Sequence, residues 1–322
     1  MLETRELGTS GIKVYPIGLG LWAIGGDQWG ATQDDESLRM IETALDNGVD
    51  FFDTADVYGD GHSEVLLGKA MKGRRDRFIV GTKIGWKGFD GDEVKSAYTS
   101  ADNVVQAVEE NLRRLDTDYV DVLQWHIHFR ESTMEHFIEG CEKLKAQGKL
   151  RAYGLSSSDA PYIKAFAEAS DSDVLQNDYS ILNRTSEQDI FPLCEKEGLG
   201  VVVRGGLAMG ILSGKFSAES TFPEDDFRKA WVEDEDQRAQ FLQDLQTVDQ
   251  LKKAFPNHDL AQLSIRFVVS QPQVSVMIAG AKRPDQVMRN LAAAEHGLLT
   301  DDEQAGIDAI VPKGGGRKIW PA

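Results

Sequence analysis

The sequence predicts an α/β protein of the (β/α)8 TIM-barrel class, with an N-terminal β-hairpin and a long loop after the seventh strand. Three observations carry that expectation. Short apolar segments alternate eight times with amphipathic segments of helical spacing along the 322 residues. The apolar segments are apolar throughout rather than at every second position, as strands buried on both faces are. Polar residues recur at their C-terminal ends: Asp53 after Phe51-Phe52, Lys83 after Phe78-Ile79-Val80-Gly81-Thr82, and His126 after 120–125.

Residues 5–14 read as a small hairpin turning at Gly8-Thr9-Ser10-Gly11. Residues 17–19 form the first strand. The helix over 35–47 follows, with Leu38, Ile41, Ala44 and Leu45 on one face. Residues 51–53 are strand two and 63–71 a short helix; residues 78–83 are strand three and 101–115 its helix, with Ser100 or Asp102 at its start. Strand four spans 120–125, and the helix over 134–147 ends at Gly148. Strands five, six and seven are 152–156, 174–177 and 201–203, with helices over 160–169 and 187–197 after the first two. A helix over 260–270 leads to strand eight at 274–278 and the last barrel helix at 284–294. One barrel domain over 1–322 accounts for this order. The connection 205–257 is long for a barrel loop, and such loops commonly serve as lids or cofactor clasps. The Gly-rich, basic stretch Lys313 to Lys318 reads as a flexible tail.

Composition bounds the partners. Lys+Arg is 35 against Asp+Glu 53, a formal charge of −18, and such a surface repels nucleic acid and anionic lipid. An anionic cofactor would therefore need a local cationic patch. No apolar run approaches the length of a membrane span, and residues 1–6 lack a signal peptide's apolar core, so a cytoplasmic location is expected. Cys141 and Cys194 lie far apart without CxxC spacing and read as buried thiols, and no metal site is expected. Composition leaves the oligomeric state open.

If the apolar segments are parallel barrel strands, Asp53, Lys83 and His126 converge on one mouth. Tyr58 joins them from the loop after the second strand. A phenol with an ammonium, a carboxylate and an imidazole nearby is a proton donor with a tuned pKa. Each residue also has a plainer reading. A loop Tyr is commonly structural, an Asp–Lys pair can be an ion pair alone, and His128 competes with His126. Side-chain alternation points both histidines the same way, so geometry does not choose between them.

Several motifs, in order and spacing, resemble the aldo-keto reductase superfamily. They are Asp53-Thr54-Ala55-Asp56-Val57-Tyr58-Gly59, Thr82-Lys83, Gln124-Trp125-His126, Gly154-Leu155-Ser156, Gln176-Asn177-Asp178-Tyr179-Ser180 and the run from Leu207 to Lys215. The Leu-Ala-Met-Gly form of the last run looks most like the bacterial branches related to general stress reductases and to potassium-channel β subunits. The resemblance implies a barrel enzyme that reduces carbonyls with a nicotinamide dinucleotide. It makes Tyr58 the acid, Lys83 the cation that lowers its pKa, Asp53 the partner of Lys83, and His126 the group that orients the substrate oxygen.

The same resemblance assigns cofactor contacts. Ser156 and Gln176 would hold the nicotinamide carboxamide. Ser157, where the family commonly has Asn, would be either a third contact or a helix cap. Arg204 stands where many relatives carry a stacking aromatic, and its planar guanidinium can stack on the ring or pair with a mouth carboxylate. Gly205, Leu207, Met209 and Lys215 belong to a clasp over the pyrophosphate. After strand eight come Gly280, Lys282 and Arg283, then a helix N-terminus starting at Pro284, which suits a 2′-phosphate and points to NADP, with NAD as the alternative. Gln286 and Asn290, one helical turn apart, would contact adenine.

Trp22, Trp29, Trp86 and Trp125 form a candidate apolar substrate pocket. The expected activity is NADPH-dependent reduction of an aldehyde or ketone. Two other readings stay open: NAD-dependent oxidation of a sugar or polyol, and a redox-sensing dinucleotide-binding subunit with slow turnover.

Overall fold

The computed structural model describes residues 2–26, 28–30, 32–85, 98, 100–127 and 133–318. Trp86 and His128 lie outside the described residues. A two-stranded antiparallel hairpin, β1 (Arg5–Glu6) and β2 (Lys13–Val14), precedes a closed parallel barrel. Its strands are β3 (Ile17–Gly20), β4 (Phe51–Asp53), β5 (Ile79–Ile84), β6 (Val120–Trp125), β7 (Leu150–Ser156), β8 (Val174–Asp178), β9 (Gly200–Arg204) and β10 (Val274–Gly280). They pair in chain order, and β10 closes on β3. The outer helices are α1 (Asp34–Asp46), α2 (His62–Met71), α3 (Ala101–Leu115), α4 (Met134–Ala146), α5 (Ala160–Ala169) and α6 (Ile190–Glu197). After β9 come α7 (Ala230–Glu233), α8 (Glu235–Ala254) and α9 (Leu260–Val269); after β10 come α10 (Pro284–Leu291) and α11 (Asp301–Ile310).

The two-residue period of each strand divides its side chains between the barrel interior and the helix layer. Inside, Phe51, Val122, Ala152, Val174, Val202 and Val276 pack together, and Leu7, Ile12 and Val14 of the hairpin plug the N-terminal end. Above this apolar floor the inward positions turn polar: Asp53, Lys83, Gln124 and Gln176 are all buried. Outside, residues such as Phe52, Leu123, Tyr153 and Leu175 pack against the helices. The site thus stands on a packed apolar base.

Three elements depart from expectation. The connection after β9 contains a 20-residue helix, α8, that the polar composition had concealed. Its buried Phe241, Leu245, Val248 and Leu251 recur at helical spacing, and Asp234 caps its start by accepting from the Gln237 N–H at 2.9 Å. The Gly-rich tail is docked rather than free. Gly315 accepts from the Arg184 N–H at 2.9 Å, Arg317 donates its N–H to Leu182 at 2.9 Å and its guanidinium to Asp244, and Lys318 Nζ donates to the Ser158 carbonyl at 2.8 Å. Small residues let this backbone lie against the loop after β8, and those contacts outweigh the tail's intrinsic freedom. Finally, α11 is a helix beyond the expected order, and Thr300 and Glu303 form a capping box at its start.

Glu303 also accepts from Arg266 at 2.6 and 2.7 Å and contacts His258 at 2.9 Å. The Arg266 hydrogen bonds hold its carboxyl down at about 2, against an ordinary 4.5. A depressed acid contributes stability above its unfolded value and loses it as pH falls through the folded one. Glu303→Gln is therefore expected to cost on the order of 2 kcal/mol at neutral pH. It should also flatten the acid limb of the stability curve between pH 4.5 and about 2. Urea titrations across that range read both effects.

Candidate active site

The register sets which strand ends share a level. Asp53 pairs with Gly81, Lys83 with Gln124, Ser156 with Gln176 and Asp178 with Arg204. Tyr58 sits in the turn between β4 and α2, and its carbonyl accepts from the Ser63 N–H at 3.2 Å. Gly59, at φ +61°, lets that turn press on the loop after β3, since a Cβ there would come 2.0 Å from the Gly25 oxygen.

Lys83 is fully buried. Its Nζ donates to Asp53 Oδ1 at 2.5 Å, to the Thr54 carbonyl at 2.9 Å and to Tyr58 Oη at 3.1 Å. Gln176 Nε2 donates to Asp53 Oδ2 at 2.8 Å and to Gln124 Oε1 at 3.0 Å. Both N–H groups of that amide are committed, so its oxygen is the atom left for a ligand. The His126 ring lies edge-on to Tyr58 with centroids 5.6 Å apart. Asp53, Tyr58, Lys83 and His126 therefore meet at one mouth.

Burial dominates the protonation states here. It pushes the Tyr58 phenol above its ordinary value; Lys83 and Arg204 oppose this without reversing it. The expectation that Lys83 lowers the phenol below its ordinary value is thus corrected, because desolvation of the phenolate exceeds the ammonium's attraction. Burial alone would lower the Lys83 ammonium, but Asp53 and Tyr58 raise it more. Burial pushes the Asp53 carboxyl up, and Lys83 and Gln176 work against it. We assign the pair as ionised, since a 2.5 Å ammonium contact and an amide donor both favour the carboxylate. Burial holds His126 well below its ordinary value, with Lys83 and Arg204 acting in the same direction, so the imidazole is neutral.

A cleft runs from this mouth along the ends of β9, β10 and α10, enclosing about 1510 Å³ with the solvent at its opening included. Ser156, Gln176, Arg204, Gly205, Leu207, Met209, Lys215, Gly280, Lys282, Gln286 and Asn290 line it beside Asp53, Tyr58 and His126. Gln286 Oε1 accepts from the Lys282 N–H at 2.7 Å. Two residues that the sequence did not single out, Arg228 and Arg289, line it as well. Arg228 pairs with Asp226 at 2.5 Å and lies over the Trp29 ring at 4.8 Å. Its signal in the sequence was a cation inside the acidic run 224–236.

The cleft fits an anionic, two-ended ligand. Burial lowers the Lys215 ammonium, and Arg228, Arg283 and Lys282 lower it further; burial and then Arg228 lower Lys282. Cations gathered along one cleft in a chain of charge −18 suit an anionic ligand. The loop above them holds Ala208 and Met209 at φ +48° and +53°, a left-handed backbone that side chains resist. That strain marks a loop shaped for contact rather than for its own stability.

Other assignments change. Ser157 neither lines the cleft nor caps α5; its Oγ accepts from the Asp159 N–H at 3.1 Å, a local turn, and Asp159 is the capping position. Arg283 turns outward to Asp285 at 3.0 Å and does not line the cleft. Arg204 has its NH1 3.9 Å from Asp178 Oδ1, the carboxylate pairing that the sequence had left as an alternative to stacking. Trp125 is not in the mouth. It is one residue out of phase with Gln124 and His126, so it faces the helices and stacks on Phe137 at 5.0 Å. Trp22 stacks on Tyr58 at 5.8 Å and meets Trp29 edge-on at 5.3 Å, and Phe227 from the long loop completes that aromatic wall.

Comparison with known proteins agrees with the barrel fold. The Aldo/keto reductase family model matches residues 16–312. The aldo-keto reductase YhdN of Bacillus subtilis is 32% identical over 96% of this chain and 94% of its own. The aldo-keto reductase AKR11C1 from Bacillus halodurans, in its holo form, superposes with a TM-score of 0.81 at 30% identity over 100% of both chains. An aldo-keto reductase from Klebsiella pneumoniae in complex with NADPH superposes at 0.74, with 26% identity over 99% and 98%. A parallel barrel, a Tyr–Lys–Asp–His mouth and a match over nearly the whole length lead to one statement: this chain belongs to the aldo/keto reductase family.

Proposed function

We propose that the protein reduces an aldehyde or ketone to an alcohol with NADPH, with Tyr58 as the acid. The observation that carries this reading is the 3.1 Å contact between Lys83 Nζ and Tyr58 Oη, at the closed end of a cation-rimmed cleft. Bound there, the reduced nicotinamide would supply a hydride to the carbonyl carbon. Tyr58 donates its proton to the carbonyl oxygen. Its raised pKa keeps the phenol protonated at neutral pH, as a proton donor must be. Lys83 then holds the phenolate, and Asp53 holds Lys83. The neutral His126 positions the oxygen and stabilises charge developing on it. Ser156 and the free oxygen of Gln176 hold the carboxamide. Lys215 and Arg228 would hold the pyrophosphate, Lys282 the 2′-phosphate, and Gln286 and Asn290 the adenine. Trp22, Trp29 and Phe227 form the apolar wall beside the carbonyl.

Fluorescence titration with NADPH and NADH, followed by a steady-state screen of carbonyls and alcohols, tests this directly. NADPH should bind at least tenfold more tightly than NADH. Lys282→Ala should weaken NADPH by about tenfold to a hundredfold and leave NADH nearly unchanged, since a charged hydrogen bond to phosphate contributes about 1.5–3 kcal/mol. Tighter binding of NADH than of NADPH in the wild type would assign NAD. Tight binding with turnover of no compound in the screen would assign a dinucleotide-binding subunit instead.

A further inference from the structure

We infer that Arg204 makes the cleft select the reduced cofactor over the oxidised one. The inference rests on the reading that a nicotinamide dinucleotide occupies the cleft.

Arg204 ends β9 and is directly registered with Asp178 on β8. Arg204 carries a cationic guanidinium and lines the cleft with Tyr58, Ser156 and Gln176. Its counter-ion sits differently. The Asp178 side chain is 0% exposed and does not line the cleft, and its Oδ2 accepts from Asn183 Nδ2 at 2.7 Å. Gly205 makes this placement possible: a Cβ there would lie 2.0 Å from Asp178 Oδ1. The pair is thus oriented, with the cation toward the ligand and the anion in the wall. At 3.9 Å the carboxylate weakens the guanidinium's field and does not cancel it. The field already reaches the mouth, where Arg204 lowers the pKa values of Tyr58, Asp53 and His126.

Arg204 meets a neutral ring in NADPH and a cationic ring in NADP+. It therefore repels the oxidised form selectively, and burial of the site strengthens the effect. An aromatic side chain at this position would act oppositely, since its face attracts a cation. Hydride transfer breaks a C–H bond on the ring and forms one on the carbonyl carbon, while Tyr58 transfers its proton to the oxygen. The positive charge left on a ring bound there would lie in the field of Arg204. Arg204 would consequently weaken the hold on NADP+ and so speed its release after carbonyl reduction.

The test measures dissociation constants of NADPH and NADP+ for the binary complexes, without substrate. Arg204→Gln keeps a planar polar group and removes the charge; Arg204→Lys keeps the charge. In the wild type NADPH should bind more tightly than NADP+. The ratio Kd(NADP+)/Kd(NADPH) should fall about tenfold in Arg204→Gln, equivalent to about 30 mV in the bound couple, and stay within about threefold in Arg204→Lys. Asp178→Asn should move the ratio the other way, by exposing the guanidinium's full charge. A ratio unchanged in Arg204→Gln, or affinities for both forms falling equally, overturns the inference and leaves the proposed function intact. Failure of the wild type to bind either nucleotide overturns both.

Discussion

Tyr58→Phe should lower kcat by about a thousandfold, in the middle of the range for loss of a positioned general acid. It should leave nucleotide affinity within about twofold. The two outcomes separate because the ring and the hydroxyl do different work. The ring stacks on Trp22 at 5.8 Å and faces His126 at 5.6 Å, and phenylalanine preserves both contacts. The hydroxyl is the 3.1 Å acceptor of Lys83 Nζ, which keeps Asp53 and Thr54 as partners after the change. Single-turnover kinetics with a reactive aldehyde, and fluorescence titration of the same sample, read the two quantities. A joint collapse of binding and turnover would mean that Tyr58 shapes the cleft rather than supplying the proton. The pH dependence follows from the same residue. Burial raises the phenol above its ordinary value, and an acid works only while protonated. The rate of carbonyl reduction should therefore hold from neutral into alkaline pH and decline only when the phenol ionises.

Lys83→Met should do two things at once. Turnover should fall at least as far as for Tyr58→Phe, because the phenolate loses its counter-charge. Stability should fall by about 3–5 kcal/mol, the usual result of breaking a buried ion pair from one side. Asp53 would retain Gln176 at 2.8 Å and nothing cationic within hydrogen-bond reach to replace the ammonium at 2.5 Å. Burial already pushes its carboxyl up, and removing Lys83 removes the main opposing influence. The sign of the pH effect follows: a carboxyl whose folded pKa lies above its unfolded value binds an extra proton in the folded state. The variant should therefore regain stability as pH falls toward that folded value and lose it again at neutral pH. Adding Asp53→Asn removes both charges together. The double variant should recover most of the lost stability and none of the turnover. Denaturant titrations at two pH values, beside steady-state rates, separate the structural contribution from the catalytic one. Recovery of turnover in the double variant would contradict the role of Lys83.

Much of this architecture is legible in the chain because barrel strands are buried on both faces. Segments such as Val201-Val202-Val203 read as strands buried on both faces, and the predicted strand limits fall within about two residues of those observed. Helices with one apolar stripe, such as α3, are equally plain. α8 escaped notice because its polar majority hides four well-spaced apolar residues. The Gly-rich tail misled because composition reports intrinsic freedom and not the acceptors that a folded surface supplies.

Linear order determined the barrel, the family motifs and the rule that polar strand ends share a mouth, because side-chain alternation and apolar periodicity are local properties of a chain. Tertiary structure alone decided three matters. It brought Arg228 from the middle of an acidic loop to the cleft, and it seated Asp178 behind Arg204. It also set the balance at Tyr58, where burial outweighs the neighbouring ammonium. Desolvation and charge depend on what surrounds a group in space, and residues remote in sequence supply those surroundings only after the barrel has closed.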